Sequence, residues 1–314
     1  MRPRRDARTR NILHVVPDTE DFWAAEQVCD TSRVTSTRLV DVTSLTGLLP
    51  QLRDQYSGAD PFPHIVLDDV LSSPAFQGAV GEFPPLRDPS WNGYLHVNET
   101  KYANTDPSSW GPVLNGIANE FMSDEFVDFL SRLTGIENLL PDPSMDGGGL
   151  HETLRGGHLN IHADFTTHHT RLNWRRRVNI LLYFNTEWQP EWGGQLELWN
   201  ADMTQCRAKV EPGPNRMLIF STSVDSFHGH PDALRCPEDV ARRSMALYYF
   251  TEESKPVRRA TNYRARPDDG WKRVAIWADR RALDVYDRLK RRLRLSDDRV
   301  SSILKRVNRV RRRR

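Results

Sequence analysis

GGHLNIHADF, residues 156–165, opens on two glycines and then runs as a strand whose alternate positions carry chemistry. In an extended chain residues i and i+2 share a face, so His162 and Asp164 reach toward one point. Both side chains can ligate a metal, provided a third ligand arrives from another strand. Alone, a His-x-Asp pair is more often a hydrogen-bonded pair at a strand end. The neighbouring sequence therefore decides the reading.

Around this stretch the chain is written in short runs. GGGLHETL, GGHLNIHADF, RVNILLYFN, GGQLELWN, NRMLIFST, SFHGHP and RRSMALYYF are β-like segments separated by Gly, Pro, Asn and Asp. EWGGQLELW reads as a hairpin partner of NILLYFNTEW, with QPEWGG as the turn. Seven or eight such strands following helices predict a jelly roll rather than βαβ units. The fold class is α+β: a double-stranded β-helix (jelly roll, cupin-like) core with flanking helices and a helical, basic C-terminal tail.

Upstream, PFPHIVLDDVLS (61–72) reads as a short strand running into a helix start, and residues 84–112 read as loop. Val113, Ile117 and Phe121 fit one helix. Phe126, Phe129, Leu130 and Leu133 fit a second, with SDE at 123–125 as its N-terminal cap. Residues 1–60 form an N-terminal extension with a strand candidate (NILHVV), a helix candidate (DTEDFWAAEQV) and the amphipathic run SLTGLLPQLRDQY. The domain layout is thus 1–60, a main body at 61–255 (61–146 mainly helical support, 147–255 the barrel) and a basic helical segment at 256–314.

The 314 residues carry a net charge of +2. From Trp271 to Arg314 there are 17 Lys+Arg against 5 Asp+Glu, a net +12, which leaves −10 for the rest. An acidic body with a basic tail suits an acidic partner or an anionic surface, with a solvated charged face as the bland alternative. No nucleic-acid motif accompanies the tail, so specific nucleic-acid binding is not expected. No apolar run reaches the roughly 18 residues of a transmembrane helix. The basic N-terminus lacks a signal-peptide core. Three cysteines, Cys29, Cys206 and Cys236, without CxxC spacing give no disulfide framework. A cytoplasmic location follows.

SFHGHP (226–231) supplies His228 and His230 as candidates for the third ligand. Two histidines and a carboxylate suit non-haem Fe(II), leaving positions open for cosubstrate and O2. Zinc hydrolases use a similar set. The neighbours favour iron. A keto-dicarboxylate cosubstrate needs a buried cation for its far end, for which arginine is suited. Arg243 heads RRSMALYYF in phase with Met245, Leu247 and Tyr249, an odd place for a charge unless an anion meets it.

With these residues assembled, the chain resembles the 2-oxoglutarate- and Fe(II)-dependent oxygenases of the prolyl 4-hydroxylase type, over about residues 61–252. The family's HxD…H motif falls on His162, Asp164 and His228, with His230 as runner-up. His228 is favoured because it follows Phe227, as in that motif. The family's basic 2-oxoglutarate anchor falls on Arg243, and a tyrosine contacting the same carboxylate falls on Tyr183. The resemblance implies Fe(II), 2-oxoglutarate and O2, with ascorbate as reductant. It also implies hydroxylation of an unactivated C–H in a prolyl or other aminoacyl substrate, whether free, peptidyl or carrier-bound. Asn179 is in phase with Tyr183 and is a candidate for lining the pocket, and Arg175 and Arg176 are candidate substrate contacts. A non-enzymatic jelly-roll binding protein, an oxygenase of a non-amino-acid small molecule and a zinc hydrolase are the competing readings.

Overall fold

The computed structural model describes residues 38–255, 261–270, 273–274 and 276. The strand and helix expected between residues 11 and 28, and the helical tail beyond 276, lie outside these. The compact unit begins at Arg38, so the expected boundary at residue 60 is corrected. Helices α1 (Val42–Gly47) and α2 (Leu49–Ser57) belong to the body, because Val42, Leu49, Leu52 and Tyr56 are buried in its main core.

Strand β1 (His64–Leu67) leads to α3 (Ser73–Glu82). The hairpin β2 (Asn92–His96) and β3 (Glu99–Asn104) comes next. Helices α4 (Pro112–Phe121) and α5 (Asp124–Thr134) follow it. The hairpin replaces a predicted loop. β2 has no apolar alternation and is almost wholly exposed. It is β3 that pays its way, by pairing with strands β5 and β6 introduced below. The α5 prediction holds: Ser123 Oγ accepts from the Phe126 amide, and Phe126, Phe129, Leu130 and Leu133 are buried. Each such side chain contributes roughly 1.5–3 kcal/mol of burial. Gly135, at φ 71°, ends the helix in the left-handed conformation.

The remaining strands are β4 (Leu140–Pro141), β5 (Gly149–Leu154), β6 (His158–Ala163), β7 (Trp174–Tyr183), β8 (Leu196–Trp199), β9 (Cys206–Val210), β10 (Met217–Ser221), β11 (Phe227–His230), β12 (Ala241–Glu252) and β13 (Asn262–Tyr263). They pair antiparallel in the order β1-β10-β7-β12-β5-β3-β6-β11-β8-β9, the winding of a jelly roll. β8 pairs with β9 and β11, not with β7 as the hairpin reading expected. β7 is already flanked by β10 and β12, and the Gly193–Gly194 turn carries the chain across to the opposite sheet.

Alternation along the strands sorts the two faces. Val178, Ile180, Leu182, Met245, Leu247 and Tyr249 pack outward into the core shared with α4 and α5. Leu196, Leu198, Leu218 and Phe220 pack between the sheets. β13 adds itself to β6, with Tyr263 opposite His162 and the Arg264 amide donating to the Ile161 carbonyl. Arg266 secures this strap through Asp232 (2.9 Å) and Asp269 (3.4 Å).

Candidate metal centre

His162 on β6 and His228 on β11 are register partners on facing antiparallel strands. Gly229 allows that approach, since a Cβ there would lie 2.7 Å from the Leu159 carbonyl oxygen. Each imidazole is oriented in the same way. His162 Nδ1–H donates to the Asn160 carbonyl and His228 Nδ1–H to the Ser226 carbonyl, both at 2.9 Å. That tautomer leaves both Nε2 atoms bare as acceptors. Asp164 lies between them, with Oδ1 3.3 Å from His162 Nε2 and Oδ2 3.5 Å from His228 Nε2.

These three side chains offer ligand atoms all within 4.8 Å of one another. Two bare imidazole nitrogens and one carboxylate form a donor set that fits Fe(II). Burial pushes the His228 imidazolium down to about 4, so the ring is neutral and able to ligate near pH 7. Against the opposing effect of burial, Arg176, His228 and His162 hold the Asp164 carboxyl well below its ordinary range.

Behind Asp164 stands a second layer. Asn179 Nδ2 donates to Asp164 Oδ2 (2.7 Å), and Arg176 NH2 lies 3.1 Å from the same oxygen. Asn179 Oδ1 in turn accepts from Arg176 Nε (2.6 Å) and Thr222 Oγ1 (3.1 Å). The guanidinium of Arg176 is fully buried and stacks on Tyr248, 3.2 Å from its ring centroid. Its NH1 has no hydrogen-bond partner. On the other side, the Tyr263 ring packs 5.4 Å from that of His162.

The pocket over the triad is also lined by Lys101, His151, Ser244, His230 and Arg242. Arg242 is 5% exposed. Its Nε donates to the Gly194 carbonyl (2.8 Å) and its NH2 to the Tyr183 hydroxyl (3.0 Å). Arg243, the residue expected here, points the other way. It lies over the Phe83 ring on the helix side and meets the charge of Glu152. Phase with Met245, Leu247 and Tyr249 is the very property that turns it from the pocket.

The remaining expectations divide. Asn179 and Arg176 line the pocket, Tyr183 reaches its arginine, and His230 faces the interior outside the metal-capable group. Arg175 alternates away from Arg176 and bridges to Thr167, so it is not a pocket residue. Arg242, Lys101, His151 and Tyr248 were missed. Reading β12 from Tyr248 back through Ser244 to Arg242 gives the parity that would have found the arginine.

Residues 148–250 match the family described as the 2OG-Fe(II) oxygenase superfamily. Among curated protein sequences none matches the chain. Similar solved structures include a Pseudomonas putida prolyl-4-hydroxylase, with 18% identity, 66% of this chain and 99% of that chain covered, and a TM-score of 0.47. Another is a Trichoplax adhaerens prolyl hydroxylase in complex with a hypoxia inducible factor peptide fragment (17% identity, 67% and 91% covered, TM-score 0.47). HygX from Streptomyces hygroscopicus, with nickel, 2-oxoglutarate and hygromycin B bound, is more distant (14% identity, 63% and 87% covered, TM-score 0.41). Residues 148–250, the segment that carries the triad and Arg242, are thus similar to the 2OG-Fe(II) oxygenase superfamily. The chain is a 2-oxoglutarate-dependent dioxygenase whose cofactors are Fe(II) and 2-oxoglutarate. Among the described residues no helix is long and apolar enough to cross a membrane.

Proposed function

We propose that this dioxygenase hydroxylates an unactivated C–H of a prolyl or other aminoacyl substrate, free, peptidyl or carrier-bound, with His162, Asp164 and His228 holding the iron. Arg242, backed by the Tyr183 hydroxyl, takes the far carboxylate of 2-oxoglutarate. When bound, the metal and cosubstrate supply the oxidising chemistry, coupling decarboxylation of 2-oxoglutarate to transfer of one oxygen atom of O2 to the substrate. The protein's residues do the positioning. Asn179 and Arg176 fix the Asp164 carboxylate, and the two Nδ1–H donations fix the imidazoles.

The observation that carries the reading is a single pocket lined by both the metal-capable triad and a buried arginine. An aminoacyl substrate is supported by Arg176. Its NH1 is a buried donor without a partner, beside Asp164 and Tyr248, and a substrate carbonyl or carboxylate would satisfy it. The two described cysteines, Cys206 and Cys236, are free thiols, which supports a reducing compartment such as the cytoplasm.

The test begins anaerobically. Fe(II) and 2-oxoglutarate added to metal-free protein should give the weak visible charge-transfer band of the chelate, weakened in Asp164→Ala and in Arg242→Gln. No band in folded wild type would sink the ligand assignment. A screen of prolyl compounds then follows succinate release, with exclusive turnover of a non-amino-acid molecule as the outcome against the substrate class. Charge reversal at Arg176 would strike Asp164 as well, so Arg176→Lys is the apt variant. It should raise the substrate KM about tenfold or more and leave 2-oxoglutarate affinity within about threefold.

A further inference from the structure

Among the described residues, two side-chain nitrogens that line the pocket are buried with no hydrogen-bond partner: Arg176 NH1 and His230 Nδ1. Arg176 adjoins the metal-capable carboxylate. His230 lines the same pocket as Arg242 and Lys101 and stands outside the metal-capable group. Its ring is 3% exposed. It shares the inward face of β11 with His228, yet the register shifts between them and pairs His230 with Leu159. That displacement takes it out of the group of ligand atoms formed by His162, Asp164 and His228.

A polar atom buried without a partner is destabilising, and such atoms in native proteins call for an explanation. A bound anion supplies one. Lys101 is already paired with the buried Glu99 carboxylate at 3.3 Å, so Arg242 is the cation that favours an anion here, and a neutral imidazole adds a directional donor without further charge. We infer that His230 is a cosubstrate-specificity residue, its Nδ1–H donating to the distal carboxylate of 2-oxoglutarate beside Arg242. The inference rests on the reading of Arg242 as the anchor of that carboxylate.

The test uses the full chain loaded with Ni(II) in place of iron and titrated calorimetrically with two keto acids. One is 2-oxoglutarate, and the other is 2-oxobutanoate, which keeps the chelating end and lacks the distal carboxylate. His230→Leu should weaken 2-oxoglutarate about tenfold and leave 2-oxobutanoate and the Ni(II) stoichiometry unchanged. His230→Asn, whose amide nitrogen falls near the position of Nδ1, should stay within about threefold of wild type. If the leucine variant does not fold, the asparagine is compared with His230→Gln, which moves the donor outward and should lose 2-oxoglutarate selectively.

Equal losses for both keto acids, or none, would overturn the inference and leave the Arg242 reading standing. So would loss of Ni(II) binding, which would make His230 a metal ligand. Wild type that binds neither keto acid would overturn the Arg242 reading and this inference with it.

Discussion

The two faces of β12 hold adjacent arginines with opposite fates. Arg242 sits between the sheets with Ser244 and Tyr248 in a pocket lined with polar groups. Arg243 sits on the face that packs Met245, Leu247 and Tyr249 beneath the helices. The charge between the sheets is held by fixed acceptors, since Arg242 donates to the Gly194 carbonyl and to the Tyr183 hydroxyl. A charge on the apolar face must find what it can at the margin. Arg243 finds Glu152 and an aromatic ring, and its Nε goes without a hydrogen bond.

That contrast can be broken by experiment. The largest effect should come from Asp164→Ala, which removes the anionic member of the triad. Metal stoichiometry should fall to near zero and turnover by about 10³-fold or more, and wild-type metal content in the variant would refute the site. Arg242→Met should raise the dissociation constant of 2-oxoglutarate by about 30-fold to 1,000-fold, the usual cost of stripping one partner from a buried charge pair. Asn179→Ala leaves all three ligating groups in place but removes a donor to Asp164. Metal affinity should fall about 10- to 100-fold, measured by competition with a chelator.

The acid stability of the metal-free protein sharpens the contrast differently. Burial pushes His228 to about 4 and His151, with help from Lys101, to about 3. The unfolded chain, with histidines titrating near 6.5, therefore binds more protons than the folded one between those values. Stability must fall as pH drops through 6.5 toward 4. His228 alone accounts for roughly 3 kcal/mol at about 1.4 kcal/mol per pH unit. Burial raises Glu152 on the other face to about 7, against the pull of Arg243. It works in the opposite sense, costing stability as pH rises from about 4.5 to 7. Denaturant midpoints across this range should rise with pH in wild type, and more steeply in Glu152→Gln. A flat profile in both would mean that the imidazoles are not held neutral. The smallest effect belongs to Arg243→Met, which should leave 2-oxoglutarate affinity within about twofold.

The triad was legible because a strand's period of two leaves little freedom: His162 and Asp164 had to share a face, and a strand carrying His228 had to meet them. Arg242 was not. Expecting the anchoring cation among apolar neighbours picked the helix-covered face, whereas polar neighbours marked the pocket. His230 was ambiguous because it shares parity with His228, and only the register shift between them separates their surroundings. The β2–β3 hairpin left no signal, since its pairing partners lie some fifty residues downstream and its own outer strand is solvated.

The strap formed by β13 bears on how the enzyme is made. All three metal-capable side chains have been synthesised once His228 is added, but Tyr263, whose ring lies against His162, comes 35 positions later. On the ribosome there is consequently an interval in which the ligand set is complete in sequence while the ring that packs against His162 does not yet exist.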